Sequence, residues 1–162
     1  MPRKDVVANR ITSLLQMRWL EKYIKVPFLI DGRSMNGCDC WGLYRLIVKE
    51  RSGIDLPMYP EQTTLSHMRK MLEKSQSPEW KIIQAGSEVE LDCVLMRGQF
   101  THEGKLRSRP IHVGCVLGAG LLIHTEQGVG TTIVGYRNSS LIKNRIVGFY
   151  RYDANLVGSS QT

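Results

Sequence analysis

The stretch Gly37-Cys38-Asp39-Cys40-Trp41-Gly42-Leu43 decides how this chain is read. Pro27, Gly32 and Gly37 mark a loop before it. Leu43, Tyr44, Leu46, Ile47 and Val48 predict a helix that begins near Cys40 or Trp41. Gly53 stands where a glycine ends such a helix. Cys40 therefore falls at the junction of loop and helix. A thiol there meets the positive end of the helix dipole and backbone N–H groups with no partner inside the helix. Both favour thiolate, the nucleophilic form, and the same N–H groups can stabilise an oxyanion. Taken alone, the position still favours the plainer reading of a small buried apolar residue.

A second stretch changes that balance. Pro110-Ile111-His112-Val113-Gly114-Cys115-Val116-Leu117 alternates as a strand does. Ile111, Val113, Cys115 and Leu117 share the face expected to be core, and His112 and Gly114 share the other. Gly114 is expected to leave room for a helix end beside the histidine. Gly118-Ala119-Gly120 then turns the chain into Leu121-Leu122-Ile123-His124. A three-residue loop, with Gly120 left-handed, pairs Leu117 with Leu121 and Gly114 with His124. That puts His124 diagonal to His112 on one face, within side-chain reach. A two-residue loop would pair Cys115 with His124 and turn this histidine to the core. The first register admits a Cys-His-His triad, and a structural role for His124 stays open.

Around these stretches the chain reads as helices first and strands afterwards. Val7 to Ile24 and Thr64 to Lys74 carry helical spacing. Residues 80–84, 89–96, 111–117, 121–125, 131–134 and 146–152 are short runs rich in β-branched and aromatic residues, separated by glycines. Gln99 to Arg109, polar and basic, is expected to be an exposed loop, and Gly158 to Thr162 a frayed end. The fold class is α+β, with N-terminal helices packed on a C-terminal antiparallel sheet of about five or six strands. The 162 residues suit one domain, 1–162, with its core at about 19–152.

Composition excludes several classes. A hydrophobic fraction of 42% with 23% charged residues fits an ordinary globular domain, and no apolar run approaches the ~18 residues that span a bilayer. Met1-Pro2-Arg3-Lys4-Asp5 is followed by no signal-peptide core, so a route other than general secretion is expected. The net charge of +7 favours anionic surroundings, but the basic residues are scattered and carry no nucleic-acid motif. Cys38, Cys40, Cys93 and Cys115 could pair, but without a signal peptide a reducing compartment and free thiols are expected, and their irregular spacing argues against zinc, so no metal and no cofactor are expected. His67 and His102 stand outside these motifs and read as surface positions.

The order of motifs resembles the NlpC-type cell-wall cysteine peptidases, which are papain-like. That family shows Gly-x-Asp-Cys-x-Gly-Leu at a helix start, then a His-Val-Gly strand, then a polar residue on the next strand. Here these are Gly37 to Leu43, His112-Val113-Gly114, and His124 in Leu122-Ile123-His124. The likeness runs from about Trp19 to Tyr152 and takes in Val26-Pro27-Phe28, Asp92 and Gly148-Phe149-Tyr150-Arg151. Cys40-Trp41-Gly42-Leu43 resembles the phage and prophage tail-associated branch, since cellular members usually carry serine at the place of Trp41.

The resemblance implies roles. Cys40 attacks the scissile carbonyl, His112 moves the proton, His124 orients His112, and the backbone N–H of Cys40 is an oxyanion donor. The implied substrate is the peptidoglycan stem peptide, commonly at the D-γ-glutamyl to diamino-acid bond. The implied location is a virion tail acting in the host envelope, with phage tail proteins as partners. Asp39, Trp41 and Tyr23 are the candidate substrate contacts. Asp39 also reads as a helix cap. Phe28 stands where the family often has tyrosine, and Tyr23 or Tyr44 is the candidate substitute. Cys38 has no implied catalytic role. Two other readings remain: a non-catalytic tail assembly component, and a papain-like amidase or acyltransferase.

Overall fold

The structure is a computed structural model that describes residues 17–57 and 79–156, the side chains of 99–102 and 106–111 excepted. The expected helix at Thr64 to Lys74, His67, the start of the Val7 to Ile24 helix and the 158–162 end lie outside the described residues, as does the side chain of His102.

The first helical stretch closes as a 3-10 turn, Arg18–Leu20, running into α1, Glu21–Ile24. Leu20 and Tyr23 share one face, three residues apart, and both are buried. Proline at position 27 pushes Val26 out of helical geometry, so the helix stops there. The following loop holds a two-residue hairpin not foreseen from sequence, β1 (Arg33–Ser34) against β2 (Gly37–Cys38).

α2 spans Cys40–Ser52. Asp39 caps it in extended conformation, its carboxylate accepting from the Gly42 N–H at 2.8 Å. Gly53 ends it at φ 74°, donating its N–H to the Lys49 carbonyl at 2.8 Å. Gly42 has a steric reason to be glycine. A Cβ there would collide with the Gly32 carbonyl oxygen and come within 3.1 Å of the Cys38 Cβ. The loop thus lies directly on the first turn of α2.

The sheet is antiparallel throughout, in the order β3-β8-β4-β5-β6-β7. Its strands are β3 (Trp80–Ile83), β4 (Cys93–His102), β5 (Lys105–Gly118), β6 (Leu121–Glu126), β7 (Gly130–Gly135) and β8 (Ile146–Tyr152). This is the α+β class the sequence predicts. Both faces bury apolar side chains. Leu43, Tyr44 and Ile47 of α2 join Leu95, Val113, Cys115 and Ile123 in one cluster. Val94, Met96, Val116, Leu122, Tyr136 and Phe149 form a second, smaller one.

Two expectations are corrected. Gln99 to Arg109 is a hairpin, not a loop: β4 and β5 stay paired as far as His102 and Lys105. Glu103 and Gly104 turn it with positive φ, 51° and 70°, as a tight two-residue hairpin turn requires. Polar composition does not prevent backbone pairing, and it masked this turn. Strand β4 also begins four residues later than position 89. Asp92 instead closes a turn, its carboxylate accepting from the Val89 N–H at 2.8 Å.

Asp92 is buried, and Arg151 of β8 grips it with both Nε (2.7 Å) and an Nη (2.8 Å). The two residues are 59 positions apart. Their pairing fastens β8 to the turn that leads into β4.

Candidate active site

Cys40 opens α2 and is buried. The backbone N–H groups of Val113 and Trp41 bear on its thiol and favour the thiolate. The thiol thus lies between the helix start and strand β5, against the residue that follows His112. Among the described residues, no hydrogen bond joins Sγ to the His112 ring. Burial is the largest influence on this thiol and, with Asp39 adding to it, pushes it up to about 12 against the two N–H groups and Arg33. The helix start favours the thiolate, but burial outweighs it and the thiol is neutral.

His112 and His124 are brought together. His112 Nε2 lies 2.7 Å from His124 Nδ1, both rings are buried, and they meet edge to face at 4.9 Å. Each neutral imidazole carries one N–H, so the two nitrogens in this contact share one proton. If it sits on His112 Nε2, Nδ1 is the bare nitrogen available as a base. Burial, then His124, then Arg145 hold His112 well below its ordinary range, so it is neutral at pH 7.

The register that makes this contact possible is the one derived above, reached by a different turn. Gly118 pairs with Leu121, leaving only Ala119 and Gly120 in the loop, both at positive φ. A bulge between Val116 and Gly118 then restores Val116 opposite Leu122 and Cys115 opposite Ile123. The role given to Gly114 is corrected. An added Cβ there would meet Leu122 at 3.2 Å and the His124 Cβ at 3.5 Å. The glycine makes room for His124, not for a helix end. α2 packs on the opposite face, with Val113 and Cys115.

The candidate substrate contacts fare differently. Asp39 is engaged as the α2 cap and by Arg33 at 2.5 Å. Trp41 and Tyr23 are corrected to core positions, each about 1% exposed. Trp41 packs on Tyr44 and Trp80 at 5.5 and 6.2 Å between ring centroids. The Tyr23 hydroxyl donates to Glu50, and that of Tyr44 to the Leu91 carbonyl at 2.8 Å. Neither tyrosine stands in for the hydroxyl missing at Phe28. All four cysteines are free and buried, Cys93 directly opposite Cys115.

Sequence reasoning missed Glu126 and Arg145. Glu126 Oε1 is 3.6 Å from His112 Nε2, and Arg145 holds the carboxylate. Glu126 had a signal, since it lies two residues past His124 on one face of a strand. Arg145 had none. His112, His124 and Glu126 present ligand atoms within 4.8 Å of one another. The rings are bonded to each other and Glu126 is bound by Arg145, so the set reads as a hydrogen-bond network. Among the described residues, no helix is long and apolar enough to cross a membrane.

A helix-capped cysteine on an antiparallel sheet, with two histidines joined across neighbouring strands, defines the papain-like class. The NlpC/P60 family model matches residues 25–151, and the chain belongs to that family. It is similar to the NlpC/p60 domain of the peptidoglycan hydrolase SagA, at 19% identity over 88% of this chain and 97% of that one, TM-score 0.47. It is similar to an NLP/P60-family protein from Staphylococcus aureus described as similar to lipoprotein, at 19% identity over 88% and 41%, TM-score 0.53. An NlpC/P60 family protein from Bacillus cereus aligns at 20% identity over 80% and 36%, TM-score 0.52. The chain spans less than half the length of the last two. No curated protein sequence matches it.

Proposed function

We propose that the chain is a cysteine endopeptidase that hydrolyses amide bonds in peptidoglycan stem peptides, with Cys40 as nucleophile, His112 as base and His124 orienting His112. The observation that carries this reading is the His112–His124 contact at 2.7 Å, His112 being next to Val113, which packs with Cys40 in one buried cluster. Family membership supports it, since NlpC/P60 proteins are typically cysteine peptidases and peptidoglycan hydrolases. At rest the thiol and the imidazole are both neutral. Removal of the thiol proton by His112 therefore accompanies attack on the carbonyl carbon. The tetrahedral oxyanion is met by the Cys40 N–H. His112 returns the proton to the leaving amine, and water releases the acyl group from sulfur.

The bond proposed is D-γ-glutamyl to diamino acid. A phage or prophage tail is the proposed carrier, on the strength of Cys40-Trp41-Gly42-Leu43 alone. Digestion of intact peptidoglycan and of soluble muropeptides, read by mass spectrometry, tests the substrate. Fragments with a new amine on the diamino acid are expected. Transfer products or ester cleavage favour the acyltransferase or amidase reading, and no product from either substrate favours a non-catalytic tail component.

A further inference from the structure

Glu126 lies on β6 two residues beyond His124, on the same face. Its Oε1 is 3.6 Å from His112 Nε2. Arg145 binds both carboxylate oxygens, Nη2 at Oε1 and Nη1 at Oε2. Arg145 is itself fixed: its Nε donates to the Arg97 carbonyl at 2.8 Å, and its own carbonyl accepts from the Arg97 N–H at 2.7 Å. The side chains of Glu126 and Arg145 are 22% and 13% exposed, so this ion pair lies mostly out of water beside the two buried imidazoles.

We propose that Glu126 is a positioning residue and counter-ion for the His112–His124 pair, and that Arg145 limits how much of its charge the imidazoles feel. The proposal rests on the reading of His112 as base. When the Cys40 proton moves to His112, a positive charge appears in a dry site, and a carboxylate 3.6 Å away stabilises it. A carboxylate left uncompensated would hold the pair protonated at rest and remove the base. Arg145 offsets that. Among the described residues, the charged or titratable groups bearing on the pair are Glu126 from β6 and Arg145 from just before β8. The Cys40 thiol at the start of α2 is neutral at rest, and β7 places uncharged Thr132 opposite His124.

The test is an imidazole 15N NMR titration of the full chain and of Glu126→Gln and Arg145→Met variants, beside pH profiles of muropeptide hydrolysis. Glu126→Gln is expected to lower the half-protonation pH of the pair by about one pH unit, a tenfold loss in proton affinity. The acid limb of kcat/KM should move the same way, and kcat should fall about tenfold with KM little changed. Arg145→Met is expected to move half-protonation upward. Opposite signs set a charge role apart from a structural one, because losing either partner of a purely structural ion pair loosens the site alike. Shifts of the same sign, or no shift, overturn the proposal. Glutamine keeps the shape of Glu126, so its downward shift decides the claim alone if Arg145→Met does not fold. The titration needs no substrate. Absence of hydrolysis by wild type counts against the peptidase reading, while the NMR shifts still answer for Glu126.

Discussion

His112 is an imidazole kept neutral by its surroundings. Burial first, then His124 and Arg145, hold its pKa well below 6.5 in the folded chain, while the unfolded chain titrates near 6.5. As pH falls below that value the unfolded state takes up a proton that the folded state refuses, so stability must fall in that window and is fully present above it. Denaturant midpoints measured from pH 8 to pH 5 should drop on the acid side, by up to about 1.4 kcal/mol per pH unit for each fully shifted group. His112→Gln should flatten part of that slope, with His124 also contributing, and an unchanged slope would contradict the burial argument. At this scale strand alternation put His112 and His124 on one face only in one of two registers, and the bulge that keeps that register with the shorter turn was not legible. Sequence reasoning misplaced Trp41 and Tyr23. A motif gives a position along the chain, but which way a side chain at a helix start points depends on what packs there, here Tyr44 and Trp80.

At the scale of elements, the Asp92–Arg151 pair joins the turn before β4 to strand β8 and has no counterpart in local sequence signals. Arg151→Ala would leave a buried carboxylate without its bidentate partner. The arginine side chain is 42% exposed, so the expected loss falls below that for a fully buried pair, at about 2–3 kcal/mol. Urea denaturation checks this, and a loss below about 0.5 kcal/mol would show that the pair carries little. The helix α2 was legible to its ends because a cap, an apolar stripe and a terminal glycine all agree. The β4–β5 hairpin beyond Gly98 was not, since its residues are polar and only the Glu103-Gly104 turn betrayed it. The bulge near Leu117 was hidden too: it trades a three-residue loop for a two-residue one and preserves the register, so both the expected pairing and the shorter turn occur together.

Across the whole molecule, the layered arrangement follows from patterning, helices before strands, while the sheet order does not. Strand β8 inserts between β3 and β4, a pairing at long sequence range that no local signal encodes. The consequence for function is geometric. One face of the sheet receives α2 and Cys40, and β5 brings His112 one residue from Val113, which packs with Cys40. The central claim is that this thiol, prepared by that strand, does the chemistry. The most direct measurement compares initial rates of muropeptide cleavage by wild type and Cys40→Ala. The variant should fold with the wild-type spectrum and lose cleavage by at least about a thousandfold. Cleavage surviving in Cys40→Ala at a comparable rate would contradict it.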